Sequence, residues 1–159
     1  MIFVTLGTHP QQFNRLLKEV ETLIEGKRIS EKVFAQTGYS DYKPKGIECK
    51  DFLSLDDFRA MMKKSSLVIT HAGEGNIGLG KNIGKKMIIV PRKKEFSEHT
   101  NDHQLELAHV CEEKKLGLVA WNISELGKKI VEAENFVPAK IARGNISQLL
   151  EDFLGKEFK

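Results

Sequence analysis

The chain has 159 residues, 40% hydrophobic and 30% charged, a composition typical of one folded domain over residues 1–159 and not of a disordered chain. Its net charge of +3 comes from 25 basic and 22 acidic residues, and so small an excess argues against a nucleic-acid-binding protein. No apolar run reaches the ~18 residues of a membrane span and no secretory leader is evident. The two widely spaced cysteines, Cys49 and Cys111, indicate reduced thiols, so we expect a cytoplasmic protein.

Short apolar runs alternate with stretches of helical periodicity along the whole chain. This alternation predicts an α/β fold, a Rossmann-like parallel sheet with helices on both faces. Ligands of such folds bind beyond the carboxyl ends of the strands, where the strand order reverses. The predicted strands lie at 2–6, 32–37, 47–50, 66–70, 86–90 and 118–121, with helices near 9–24, 54–62, 75–83, 102–115, 124–133 and 147–154.

Three of these helices begin at residues with capping-box spacing, in which a short polar residue is followed three positions later by an acidic or amide residue. This spacing predicts that the first helix begins near residues 8–10. The pairs are Thr8 with Gln11, Ser54 with Asp57 and Asn101 with Gln104.

The clearest candidate site follows the fourth strand, where the sequence 68–77 reads VITHAGEGNI. A buried strand that runs into a glycine turn and then a helix allows close approach of a ligand to the backbone. The free amides and positive end of such a helix favour a phosphate or diphosphate. The alternative is a turn whose glycines serve only tight packing. The candidate residues here are His71, Gly73, Glu74, Gly75 and Asn76.

A second strand, glycine turn and helix occur at 6–13, which reads LGTHPQQF. The amides of this turn are predicted to face the same edge of the sheet as the first. Gly7, Thr8 and His9 are therefore further candidates for substrate binding. The alternative is an ordinary helix start, with His9 a solvated loop residue.

A long polar loop follows the fifth strand and ends in a helix start. Long polar loops at a strand exit are often functional. Arg92 could meet phosphate, and Asp102, His103 and Gln104 offer donors and acceptors that suit sugar hydroxyls. Two alternatives stay open: a capped helix behind a solvated loop, and a metal site at His99 and His103 with neighbouring carboxylates.

Together these segments resemble the carboxyl-terminal, donor-binding half of the family 28 glycosyltransferases, the MurG-like enzymes of GT-B fold. The likeness spans roughly residues 2–120. It is closer to single-domain members, the PssE-type subunits of exopolysaccharide synthesis and the catalytic subunit of the dolichol-pathway N-acetylglucosamine transferase. The matching stretches are 3–8 (FVTLGT), 36–38 (QTG), 68–77, 89–92 (IVPR) and 98–108 (EHTNDHQLELA).

The resemblance implies roles for individual residues. The UDP diphosphate would be held by the two glycine turns, and the sugar would meet His103 and Gln104. His71 and His103 would be the catalytic residues. Leu79 stands where MurG-like members have a glutamate that binds the ribose, and the PssE-like group resembles this chain in lacking it. The residues implied for the diphosphate are Gly7, Thr8, His71, Gly73, Gly75 and Asn76.

The resemblance also implies a reaction and a partner. We expect a UDP-sugar-dependent transferase subunit that passes a hexose or N-acetylhexosamine to a lipid-linked acceptor in polysaccharide or glycan-precursor synthesis. The chain has room for half of a GT-B enzyme, so a membrane-anchored, PssD-like subunit would bind the acceptor and hold the complex at the cytoplasmic membrane face. No metal or other cofactor is expected, because backbone donors can stabilise the departing diphosphate and the sequence has no Asp-x-Asp pair.

Two other functions remain as alternatives. The chain could be an accessory module that binds a partner or a nucleotide sugar without catalysis, as the leucine at position 79 suggests. It could also be an unrelated small α/β hydrolase or metal enzyme that uses His99 and His103.

Overall fold

A computed structural model of the chain describes residues 1–141 and 146–157. Its described residues contain one six-stranded sheet in which every neighbouring pair of strands is parallel. The order along the sheet is third, second, first, fourth, fifth, sixth. The strands are β1 (Ile2–Thr5), β2 (Val33–Gln36), β3 (Glu48–Lys50), β4 (Leu67–Thr70), β5 (Met87–Ile89) and β6 (Leu118–Val119).

Helices cover both faces of this sheet, as predicted. Alternate residues of β1 point to opposite faces, so Ile2 and Val4 belong to one apolar layer and Phe3 to the other. The first and fifth helices contribute to the layer of Val4, and the other four to that of Phe3. The helices are α1 (Asn14–Glu25), α2 (Leu55–Lys64), α3 (Glu74–Asn82), α4 (His103–Glu113), α5 (Leu126–Asn135) and α6 (Ile146–Glu157), with short 3-10 turns at Lys94–Phe96 and Ile123–Glu125.

The strand order places the two predicted glycine turns side by side. The chain runs outward from β1 to β2 and β3, then returns to the other flank of β1 to form β4. The last paired residues of these two neighbours are Thr5 and Thr70. The turns that begin after them therefore leave the same edge of the sheet at the point where strand order reverses, which is where ligands bind in such folds.

The first helix begins later than its capping-box spacing predicts. Helix α1 starts at Asn14, and Thr8 is exposed. The amide of Phe13 donates to Ser40 Oγ at 2.8 Å, and the amide of Asn14 donates to Gln12 Oε1 at 2.8 Å. Because these acceptors satisfy the free amides, residues 8–12 remain a loop at the edge of the sheet.

The other two capping pairs have different outcomes. Ser54 Oγ accepts the amide of Asp57 at 3.1 Å, which confirms this residue as the N-cap of α2. At α4, Asn101 Oδ1 accepts the amide of His103 instead, at 3.1 Å. The Gln104 side chain turns away from the helix start, so the predicted capping box there is wrong.

Within the described residues, no helix combines the length and the apolar character needed to cross a membrane.

Candidate functional site

A cleft of about 530 Å³ opens at the carboxyl edge of the sheet, beside the turns that follow β1 and β4. Six of the predicted diphosphate residues line it, namely Gly7, Thr8, His71, Gly73, Gly75 and Asn76. The remaining lining residues belong to no motif with a predicted binding role. These are Gln36, Phe52, Leu53, Leu55, Phe58, Arg59 and Leu79.

The imidazole of His71 lies between two of the glycines. A Cβ atom added to Gly7 would lie 2.4 Å from the ring Cε1, and one added to Gly73 would lie 2.2 Å from Nε2. These two glycines therefore make room for a side chain of the protein itself, which corrects the expectation that they leave the backbone open to a ligand. Gly75 differs, because no atom lies within 4 Å of its added Cβ position.

His71 is a neutral residue of the cleft floor. Its side chain is 8% exposed, and burial, reinforced by the charge of Arg92, lowers its pKa to about 3. The side-chain Nδ2 of Asn76 donates to Thr70 Oγ1 at 3.0 Å and lies 3.5 Å from the Nδ1 atom of His71. At neutral pH this imidazole can offer a hydrogen bond but no positive charge.

The described lining of the cleft favours an anion. Helix α3 begins beside it without a side-chain cap, so the amides of Glu74, Gly75 and Asn76 have no partner within the helix. Arg59 is the charged residue of the lining, and no acidic residue is among the described lining residues. The side chain of Glu74, a predicted site residue, accepts a hydrogen bond from Ser147 at 3.0 Å and is not part of the lining.

The other end of the cleft is apolar and exposed. Phe52 and Leu55 are 42% and 63% exposed although both are large hydrophobic side chains. Tyr39, just outside the lining, packs edge-to-face on Phe52 with ring centroids 5.2 Å apart. Leu79 lines the same cleft. An exposed apolar surface beside an anion-favouring turn suits a ligand with a flat ring and a charged tail.

Arg92 does not line the cleft, contrary to the expectation that it meets substrate phosphate. It is 1% exposed, and burial lowers its pKa to about 10. Its guanidinium donates to the carbonyls of Leu6 at 2.6 Å, Gln11 at 2.8 Å, Gln12 at 3.2 Å and Glu98 at 3.0 Å. Arg92 therefore ties the loop after β1 to the loop after β5.

The predicted sugar-binding residues also lie outside the cleft lining. Gln104 is 7% exposed, and its Oε1 accepts the amides of Ala72 at 3.2 Å and Arg92 at 2.9 Å. His103 is 73% exposed and lies 3.2 Å from a carboxylate oxygen of Glu106. Asp102 Oδ1 accepts the amide of Lys94 at 3.2 Å. Through the amide of Ala72, Gln104 contacts the turn that follows β4.

The described residues do not support the alternative of a metal site at His99 and His103. The buried carboxylate of Glu98 accepts two hydrogen bonds from Arg15, at 2.8 and 2.9 Å. His99 stacks on His9 with ring centroids 4.2 Å apart, and His103 lies 3.2 Å from a carboxylate oxygen of Glu106. Among residues 1–141 and 146–157, no three His, Cys, Asp or Glu side chains are placed to hold a metal ion.

Fold and cleft together define a doubly wound α/β module with an anion-favouring cleft at the reversal of strand order. The profile of the glycosyltransferase family 28 C-terminal domain matches residues 1–149. The chain therefore belongs to this family, which confirms the resemblance at the level of the family. No curated protein sequence matches the chain.

Solved glycosyltransferases share the fold at low sequence identity. MurG of Acinetobacter baumannii is 14% identical over 97% of this chain, with a TM-score of 0.62. The glycotransferase of kitacinnamycin is 16% identical over 96%, with a TM-score of 0.64, and VinC in complex with DTDP is 16% identical over 98%, with a TM-score of 0.53. The chain spans 49%, 37% and 36% of those three proteins, respectively.

Proposed function

We propose that residues 1–159 form the donor-binding part of a glycosyltransferase and bind a UDP-sugar in the cleft. The observation that supports this most strongly is the composition of the cleft. Its lining combines Arg59 and helix amides that have no partner within α3 with the exposed side chains of Phe52 and Leu55. A nucleoside diphosphate has the same two-part chemistry. VinC, which shares the fold, was solved with DTDP.

The diphosphate would lie against the start of α3. The open Cβ position of Gly75 allows close approach to the backbone, and the amides there are oriented before the ligand arrives. Donors fixed in this way stabilise charge that develops on a leaving diphosphate. Arg59 would add the positive charge that neutral His71 cannot supply, so no metal is required in this proposal.

The nucleobase would lie on the apolar surface made by Phe52 and Leu55, with Tyr39 packed behind Phe52. The sugar would extend toward the start of α4, where His103 is exposed. Gln104 would contact the sugar and would also act as a positioning residue. Its side-chain Oε1 accepts the amide of Ala72, next to His71.

The acceptor site requires residues beyond these 159. The solved transferases that share the fold are two to three times as long as the matched region. We propose that a membrane-anchored, PssD-like subunit binds a lipid-linked acceptor and places the complex at the cytoplasmic membrane face. The chain would then be a PssE-type subunit that transfers a hexose or N-acetylhexosamine only in that complex.

Calorimetric titration with UDP, UDP-glucose and UDP-N-acetylglucosamine tests donor binding. Replacement of Arg59 by Gln should weaken UDP binding about tenfold, since a charge-assisted hydrogen bond is lost. Lys64→Gln is the matched control, because Lys64 lies on the same helix outside the cleft. The affinity of this variant for UDP should stay within about twofold of that of the unchanged chain. Absence of binding to the chain, with and without its partner, would favour the accessory-module alternative.

A further inference from the structure

Two histidines form a stacked pair outside the donor cleft. The rings of His9 and His99 have centroids 4.2 Å apart and planes inclined by 25°. His9 belongs to the loop after β1 and His99 to the loop after β5, and both side chains are partly exposed. Neither lines the cleft, although His9 directly follows Thr8, which does.

In both rings the Nδ1 atom accepts a hydrogen bond from a backbone amide two residues further along the chain. The Nδ1 atom of His9 lies 3.5 Å from the amide of Gln11, and that of His99 lies 3.3 Å from the amide of Asn101. A neutral imidazole that accepts at Nδ1 has its proton on Nε2. The pair therefore offers two Nε2–H donors on stacked rings whose centroids lie 4.2 Å apart.

A buried positive charge lies close to this pair. The guanidinium of Arg92 donates to backbone carbonyls, and its Nε has no partner among the described residues. The buried carboxylate of Glu98 offsets the charge of Arg92 in part, but both its oxygens are also bonded to Arg15, so one negative charge serves two guanidinium groups. Burial chiefly lowers the pKa of His9 and of His99, with a further contribution from the charge of Arg92. Both rings thus lie within the positive field of Arg92, which an anion at the pair would balance.

We propose that His9 and His99 bind a phosphate group that does not belong to the donor nucleotide. The two loops would present their N–H donors to that group above Arg92, next to the donor cleft. The assignment of this phosphate to the lipid-linked acceptor rests on the proposed function. Because the neutral pair adds hydrogen bonds but no full charge, it would hold such a group without trapping it.

The test uses the full chain with isotope-labelled histidines, followed by NMR as pH is varied. The chain is first saturated with UDP and then titrated with inorganic pyrophosphate. We expect pyrophosphate to shift the His9 and His99 signals and to raise the pKa of both rings, while the signals of His109 stay unchanged. His9→Asn and His99→Asn should each weaken pyrophosphate binding about tenfold, and His99→Asn should leave UDP affinity within about twofold. His109→Asn is the control, since His109 packs on Trp121 away from the pair.

Three outcomes of this experiment bear on whether His9 and His99 bind a phosphate group other than that of the donor. Loss of the pyrophosphate response once UDP is bound, with UDP itself shifting both histidines, would assign the pair to the donor diphosphate and overturn the proposal. An absence of any response would overturn it as well. A pyrophosphate response at the pair in a chain that does not bind UDP would support the anion site and refute the proposed donor function instead.

Discussion

The packing of His71 against Gly73 allows a sharp test of the site. Gly73 has φ −98° and ψ 131°, a conformation open to any residue, so Gly73→Ala adds a steric effect without backbone strain. Its new Cβ would lie 2.2 Å from Nε2 of His71. To reach ordinary contact the ring must move by about 1 Å, and such overpacking costs about 1–3 kcal/mol. The midpoint temperature of thermal unfolding should therefore fall by roughly 3–10 °C.

Gly75→Ala is the matched control for this substitution. The added methyl group meets no atom within 4 Å and lies in the first turn of α3. It should leave the unfolding free energy unchanged or raise it by up to about 1 kcal/mol, because alanine favours helix. Circular dichroism during heating measures both variants. Equal unfolding temperatures for Gly73→Ala and Gly75→Ala would refute the claim that the imidazole occupies this space.

Three further predictions concern titratable and charged side chains. Lowering the pH from 6.5 toward 3 should reduce the unfolding free energy by up to about 1.4 kcal/mol per pH unit, because the unfolded chain protonates His71 and the folded chain does not. In urea denaturation, His71→Gln should make the unfolding free energy depend less steeply on pH, and an unchanged dependence would contradict the reasoning. Arg92→Lys should cost about 2–4 kcal/mol in the same assay, since one ammonium cannot serve all the carbonyls that the guanidinium holds, and a loss below about 0.5 kcal/mol would contradict it. Lys86→Met should cost about 1 kcal/mol, because its ammonium bonds the last carbonyls of α5, those of Ala133 and Glu134; no change in the unfolding midpoint would speak against that role.

Most of the fold could be predicted from the chain itself. Strands β1, β2, β4 and β5 are mostly apolar and buried, and such a run is visible in the sequence without knowledge of its partners. The edge strand β3 (Glu48–Lys50) is polar and largely exposed. The start of α1 could not be predicted in this way. Its capping acceptors include Ser40, which the fold brings from 27 positions away along the chain, so local spacing favoured Thr8 wrongly.

The candidate site was predictable only in part. The two glycine turns follow buried strands, and their position at the edge of the sheet follows from the alternation of elements. The sequence does not show why glycine is needed at positions 7 and 73, because the His71 ring reaches both glycines only through tertiary packing. Arg92 was misread since its carbonyl partners Gln11 and Gln12 lie 81 and 80 positions away.

The apolar part of the cleft was missed altogether. Phe52 and Leu55 flank Ser54, the N-cap of α2, and this stretch matches no binding motif. The available signal was two large apolar residues on either side of a capping residue, a position that solvent usually reaches. Their exposure of 42% and 63% in the folded chain is what makes them candidates for contact with the proposed ligand.

A crystal structure of the chain with UDP-N-acetylglucosamine is the most direct test of the central claim. We expect the diphosphate within hydrogen-bonding distance of the amides of Gly75 and Asn76, with the base against Phe52. A nucleotide bound at any other place on the molecule, or a cleft that stays empty at saturating ligand, would contradict the account.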